Sequence, residues 1–476
     1  MVMTLWSLSG IRLFLIGWIL TSITNFPAAY THTSINTAVI ELNKYINESF
    51  TDRFRPLQIE EVSLIKSGVN SVWYVGQIGG AIISPIVCDR WGRKVAFIVS
   101  VVMMTSALGI QMLASLTPYV EILVTGRIIT SIFSPLSDAA LMLYLQEISP
   151  ASLRGTMSSL FSTGYAVMCL FGMVIGHENV LGHSLPLLFF VPLLPGLISF
   201  IYLLFLPETP KYLILKRNDK EEAVKALQFF QGSNADETQL LVANHSSNES
   251  VKESSIFAIP KLLRERHLMR AFSMSVAVLI LTLPFYPVLQ SSTFFFTHLH
   301  VPNAVAQWSS SLLMVLLTVC CLTSTAIVDK LPRRFMLLTA GTCSILALSL
   351  FSLASVLQLK YLAVGAIFTF ILSYGLGIGP VAWFICPELV PLQHRSVMFC
   401  LCYAVHSCLV VITNFTIIPL FTIIGGLSFI PVYIIPCSLS VLYIYLYLPE
   451  TKGRENHDIV NQLRGTKQKS TNIPTV

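Results

Sequence analysis

Residues 89–94 read Asp-Arg-Trp-Gly-Arg-Lys, and residues 329–334 read Asp-Lys-Leu-Pro-Arg-Arg, 240 positions later. Each stretch lies between two apolar runs long enough to cross a bilayer. Two further pairs share this spacing. Glu147 and Arg154 return as Glu388 and Arg395 at an offset of 241, and Pro207-Glu208-Thr209-Pro210 returns as Pro449-Glu450-Thr451-Lys452 at 242. Three motif pairs at one offset mark a duplicated unit, the plan by which two helical bundles come to enclose a site between them.

Working outward, six apolar runs fall near 11–35, 68–88, 95–116, 119–145, 156–176 and 185–206. Six more fall near 271–291, 305–328, 335–357, 361–385, 397–421 and 427–448. The expected fold is an all-α membrane protein with twelve transmembrane helices in two six-helix bundles. Its divisions are 1–206, with an extracellular loop at about 36–66; a cytoplasmic linker with short helices at 207–268; 269–448; and a cytoplasmic tail at 449–476.

Composition agrees. Of 476 residues, 11% are charged and 54% hydrophobic, with a mean hydropathy of +0.72, whereas a soluble domain is about a quarter charged. A large extramembrane enzyme is excluded, and no enzyme motif is present. The net charge of +6 belongs to membrane topology rather than to a nucleic-acid partner. The ten cysteines lie in or beside apolar runs with no C-x-x-C spacing and read as small apolar fillers. The first run is longer than a cleavable signal and reads as a retained helix. Nothing in the chain calls for a cofactor or a metal.

Lys and Arg set the orientation. Alternate loops hold Arg90, Arg93 and Lys94; Arg154; Lys330, Arg333 and Arg334; Arg395; and Lys452 with Arg454. The loops near 117, 180, 300 and 424 hold none, and the one near 359 only Lys360. The positive-inside rule then places both termini in the cytoplasm. Asn47-Glu48-Ser49 becomes an external glycosylation sequon, while Asn244 and Asn248 fall on the cytosolic side, where no glycan is expected.

With Gly126-Arg127, Glu147-Ile148-Ser149-Pro150, Trp383 and Pro449-Glu450-Thr451-Lys452-Gly453 added to the paired motifs, the chain resembles the sugar porter family of the major facilitator superfamily, which includes the facilitative glucose transporters. The resemblance runs from about Asn25 to Arg454 and implies alternating-access transport of a sugar or similar small solute through the plasma membrane. Substrate and lipid are then the only partners required, and a monomer suffices. Pro332 stands where the family has Gly.

The charged motifs sit at one set of helix ends, where Arg and carboxylate can pair with defined geometry. The expectation is that Arg90, Gly92, Arg93, Glu147, Arg154 and Glu208 of one half, with Asp329, Arg333, Arg334, Glu388, Arg395 and Glu450 of the other, close a cytoplasmic gate in the outward-facing state.

The substrate site departs from the family. Its seventh-helix glutamines and asparagine fall on Ile280, Leu281 and Tyr286, its fifth-helix glutamine on Ser162, its eighth-helix asparagine on Leu317, and its eleventh-helix asparagine near His406. Unpaired buried hydroxyls cost about 1 to 3 kcal/mol each, so such a cavity suits tight glucose binding poorly. The remaining candidates are Asn25, Tyr30, Thr31, Ser162, Tyr286, Gln290, Trp383, His406 and Asn414. Asp138 lies nine residues before Glu147, about 13 to 14 Å inside the fourth helix. It reads either as a locally satisfied carboxyl or as a proton site, although the position where proton-coupled relatives carry their acid is Thr31. Three functions stay open: a facilitator for a hexose or polyol-like solute, a proton-coupled symporter, and a sensor that retains the fold without transporting.

Overall fold

The computed structural model describes residues 7–31, 33–34, 38–51, 53, 55, 59–150, 152–232, 264–391, 394–454 and 456–464. Among them are twelve helices long and apolar enough to cross a membrane. They are α1 (Leu8–Tyr30), α2 (Val72–Trp91), α3 (Arg93–Ala114), α4 (Val120–Ile148), α5 (Arg154–Ile175) and α6 (Leu185–Phe205) in the first half. The second half holds α7 (Arg266–Leu289), α8 (Trp308–Ile327), α9 (Arg333–Val356), α10 (Lys360–Glu388), α11 (Arg395–Ser428) and α12 (Ile430–Tyr447). A helix satisfies every backbone N–H and C=O within itself, so these runs can cross hydrocarbon without unpaired polar groups.

The halves meet along α2 with α11 and α5 with α8. α4 is buried over most of its length, while α6 and α12 present apolar side chains outward, with Phe205 82% and Leu439 63% exposed. Such surface is stable only against lipid. The chain is therefore a multi-pass integral membrane protein.

Two turns place the charged motifs. Gly92 turns the chain from α2 into α3 with φ +100, and a Cβ there would lie 2.3 Å from Glu208 Oε2. In the second copy Pro332 is extended, with φ −63 and ψ 131, and leads directly into α9. The two turns differ, yet each brings a Pro-Glu-Thr glutamate onto the first turn of the helix that follows.

The stretch expected as a loop at 36–66 contains a helix, Val39–Thr51, and the helix bearing α2 begins at Ile59. Glu60, Glu61 and Lys66 kept the latter out of any apolar run. The former is held by burial of Leu42, Tyr45 and Ile46, one helical face at i, i+3 and i+4. Tyr45 donates to the Ala114 carbonyl at 2.8 Å and Ser49 to that of Pro118 at 2.8 Å, and burial pushes the Tyr45 phenol up to about 12. Asn47 lies on the exposed face of this helix.

After α6, the helix Lys220–Gln231 is capped by Asp219, which accepts from Glu222 N at 3.0 Å. Its Phe230 meets Tyr144 edge-on at 5.9 Å, and Gln231 donates to the Ile148 carbonyl at 2.9 Å. Asn244 and Asn248 lie outside the described residues. Beyond α12, Asn456–Arg464 packs on α7 with Ile459 and Leu463 buried.

Candidate functional site

The charged motifs gather at one end of the bundle, the basic end, where arginine–carboxylate pairs form within each half. In the first half Arg93 clamps Glu147, with Nε and a terminal nitrogen at 3.2 and 3.0 Å from Oε1, and lies 3.8 Å from Asp89. Thr209 donates to the other Glu147 oxygen. In the second half Arg333 sits 3.1 Å from Asp329 and 3.7 Å from Glu388. Each of these pairs lies within its own half.

Glu208 and Glu450, expected to face arginines, instead cap helices of their own halves. Glu208 accepts from Lys94 N at 3.1 and 3.2 Å. Glu450 accepts from Arg333 N at 2.9 Å and Arg334 N at 3.1 Å. The first turn of a helix leaves its N–H groups without intrahelical partners and carries partial positive charge, so a carboxylate is the natural ligand. Burial pushes the Glu208 carboxyl above its ordinary value, while the Thr209 N–H, Arg93 and the Lys94 N–H pull it down. Arg90 is exposed, and its carbonyl is what serves, accepting from Tyr212. The Arg334 side chain turns away to the Tyr445 carbonyl.

Asp329 makes one of the contacts that cross between halves. Its two oxygens accept from Gly155 N at 3.1 Å and Thr156 N at 2.6 Å, at the start of α5. A Cβ on Gly155 would lie 2.2 Å from Asp329 Oδ1. Only glycine permits that approach. Asp89 makes the related approach in the other direction, facing Ser396 at the start of α11. Arg154 and Arg395 are buried as the first residues of α5 and α11, and Arg154 acts on Glu388 across the divide. Below these, Thr325 meets Ser159 at 3.2 Å and Thr163 at 2.6 Å between α8 and α5.

Above this closure, between the halves, lies a cavity. The first half contributes Asn25 and Ala28 from α1; Trp73, Tyr74 and Gln77 from α2; Ser134 and Asp138 from α4; and Phe161, Ser162, Tyr165 and Ala166 from α5. The second contributes Phe285 and Tyr286 from α7; Leu317 and Cys321 from α8; Tyr374, Gly379 and Trp383 from α10; and Tyr403, His406, Ser407 and Val410 from α11.

Of the residues expected there, Asn25, Ser162, Tyr286, Trp383 and His406 line the cavity, as does Asp138. Ser162 donates to the Gly379 carbonyl at 2.6 Å across the divide. His406 Nε2 is 2.9 Å from the Thr282 hydroxyl. Trp383 lies 5.4 Å from the Tyr403 ring and 4.9 Å from His406. Tyr403 donates to Asp138 Oδ2 at 3.0 Å, joining α11 to α4.

Tyr30 does not line the cavity. In the π-helical turn Phe26–Tyr30 that ends α1 it faces away from the cavity, stacks on Phe26 and donates to the Leu188 carbonyl of α6 at 3.1 Å. The Thr31 hydroxyl bonds back to the Pro27 carbonyl. Asn414 sits about 12 Å beyond His406 along α11 and is not among the lining residues. The Gln290 side chain lies outside the described residues.

Trp73, Tyr74, Gln77, Tyr165, Tyr374, Tyr403 and Ser407 were not singled out in the sequence. Their signal was spacing: Tyr403, His406, Ser407 and Val410 follow i, i+3, i+4, i+7, one face of a helix.

The sequence profile described as sugar (and other) transporter matches residues 10–462. The chain belongs to that family. Among similar proteins, facilitated glucose transporter member 7 of solute carrier family 2 from Mus musculus is 24% identical over 440 residues, covering 90% of this chain and 85% of its own. Member 5 from Homo sapiens is 24% identical over 453 residues, at 90% and 87% coverage. The structure of the proton:xylose symporter XylE bound to 6-bromo-6-deoxy-D-glucose superposes with a TM-score of 0.79 at 17% identity, covering 95% of this chain and 98% of that one. The inward open conformation of the xylose transporter XylE from E. coli gives 0.64 at 16% identity, with 94% and 98% covered. These likenesses establish the fold, and the transporter family is not a family of enzymes.

Proposed function

We propose that this protein carries a hexose or a similarly sized polyol-like solute across the membrane by alternating access, as a facilitator, with its basic end and both termini in the cytoplasm of a plasma-membrane protein. The observation that carries the reading is the cavity: both halves wall it, and contacts between halves seal it at the basic end, so one rocking motion would exchange its access. The Tyr286 and Tyr374 phenols make no hydrogen bond with other described residues and line the cavity with Gln77 and Asn25. They offer hydroxyl partners where the family's amides are missing, and Trp383 offers a face for a sugar ring. In this reading the paired charges and caps of the basic end are the gate, and Asn47 on its exposed helix face is glycosylated.

Uptake into proteoliposomes tests it, screened over hexoses and polyols with and without an imposed pH gradient. Saturable, gradient-independent uptake of a hexose or polyol supports the facilitator, and absence of uptake in the presence of binding supports the sensor. A second reading, symport of a proton on Asp138, is favoured by the Tyr403–Asp138 hydrogen bond between halves. Accumulation that follows the pH gradient and is lost in Asp138→Asn would establish it.

A further inference from the structure

The cavity is unusual in what surrounds its one acid. Trp73, Tyr74, Tyr286, Trp383 and Tyr403 share the cavity wall with Asp138, and Tyr403 touches it. No Lys or Arg lines the cavity among the described residues, and His406 has its Nε2 against Thr282. Tyr403, at 3.0 Å, and Ser134, at 3.5 Å, both donate to Asp138 Oδ2. Oδ1 takes no hydrogen bond from any described residue and is not sealed from the cavity. A carboxylate oxygen held open among aromatic faces, with no cation of the protein's own to meet it, is a recognition element for a positive ligand. The charge supplies a charge-assisted hydrogen bond, and the ring faces attract the same cation through their quadrupoles.

We infer that the solute carried here is a polyhydroxylated ring bearing a protonated amine, with its ammonium on Asp138 Oδ1 and its ring against Trp383 and Tyr403. The inference rests on the reading of the cavity as the site for a sugar-like cargo and specifies the chemistry of that cargo. It accounts for two features together. The lost amides reduce the affinity available from neutral hydroxyls, and the ammonium restores it through one strong interaction that a plain hexose cannot make. Phenol hydroxyls at Tyr286 and Tyr374 remain for the ring's other substituents.

The test is binding to the purified full-length chain in proteoliposomes, read as quenching of tryptophan fluorescence, since Trp73 and Trp383 line the cavity. Glucosamine, glucose and N-acetylglucosamine are titrated at about pH 6.5, below the ordinary range of a free amine. Glucosamine is expected to bind about 10-fold tighter than the other two, and Asp138→Asn to shrink that preference to about 2-fold or less. Acetylation keeps the ring and removes the charge, so the wild-type comparison decides the matter even where Asp138→Asn does not fold. Equal binding of all three, absence of glucosamine binding, or a preference that survives in a folded Asp138→Asn overturns the inference. Accumulation of neutral glucose driven by a pH gradient through Asp138 also overturns it, by giving the carboxylate to a proton. Uptake in the same vesicles separates the two levels. An Asp138-dependent glucosamine preference without uptake defeats transport and leaves the ligand class standing, whereas glucose uptake without an amine preference does the reverse.

Discussion

The basic end and the cavity handle charge in opposite ways. At the basic end Glu147 and Glu388 face arginines, and Glu208, Glu450 and Asp329 take backbone N–H groups at helix starts. In the cavity Asp138 is contacted through one oxygen while the other stays open. Paired charges at the basic end hold one arrangement of the halves, because removing one partner leaves a buried charge poorly compensated. An open acceptor contributes little to the fold.

The largest test of this contrast is Glu147→Ala against Asp138→Asn. Removing Glu147 strips Arg93 of its nearest carboxylate in a buried setting, at a cost of about 3 to 5 kcal/mol. A large drop in thermal stability in detergent is expected for Glu147→Ala and a small one for Asp138→Asn. Equal drops would break the comparison.

A smaller effect is expected at the seam between halves. In Gly155→Ala the new Cβ falls on Asp329 Oδ1, 2.2 Å away, so the carboxylate must leave its two N–H donors, a loss of about 1 to 3 kcal/mol. The basic end should open more often. A cysteine placed at Thr325, with the exposed Cys343 and Cys408 replaced, should then react faster with a polar thiol reagent in Gly155→Ala than in its parent. An unchanged rate would remove Asp329 from the closure.

The smallest effect is a slope. Burial raises the Glu208 carboxyl above its ordinary 4.5 more than its donors lower it. The folded state therefore keeps a proton at pH values where the unfolded chain has lost it. Stability declines as pH rises from about 4.5 through the raised value. Glu208→Gln should flatten that decline in thermal unfolding measured across the window, and a slope that persists would assign it to other groups.

The gathering of charge at the basic end was legible beforehand because duplication writes it twice, whereas the pairing of Arg93 with Glu147 and of Arg333 with Glu388 came only from the structure. Their partners across the seam were not legible. Glu208 looked like an arginine partner because both are charged and both lie near helix ends, but backbone N–H groups, which carry no letter in the sequence, claim it first. Asp329 reaches α5 only because Gly155 has no side chain. In the cavity, Trp383 and His406 could be placed from the sequence, while Tyr74 and Tyr403 could not, since an aromatic residue in an apolar helix reads as core until neighbouring helices define which face is hollow. Tyr30 shows the converse: a tyrosine in the right helix on the wrong face, its direction set by the π-helical turn Phe26–Tyr30.

Sequence alone determined the number of membrane-crossing helices, their division into two repeats and the concentration of basic residues at one end. Those follow from hydrophobic run length and from charge, both local properties that survive without knowledge of contacts. Tertiary structure decided which carboxylates are satisfied and which is left open. That depends on distances of a few ångströms between residues 173 to 265 positions apart, such as Asp329 with Thr156 and Tyr403 with Asp138. No local pattern encodes such a separation; it is set by how two bundles of helices come to rest against each other.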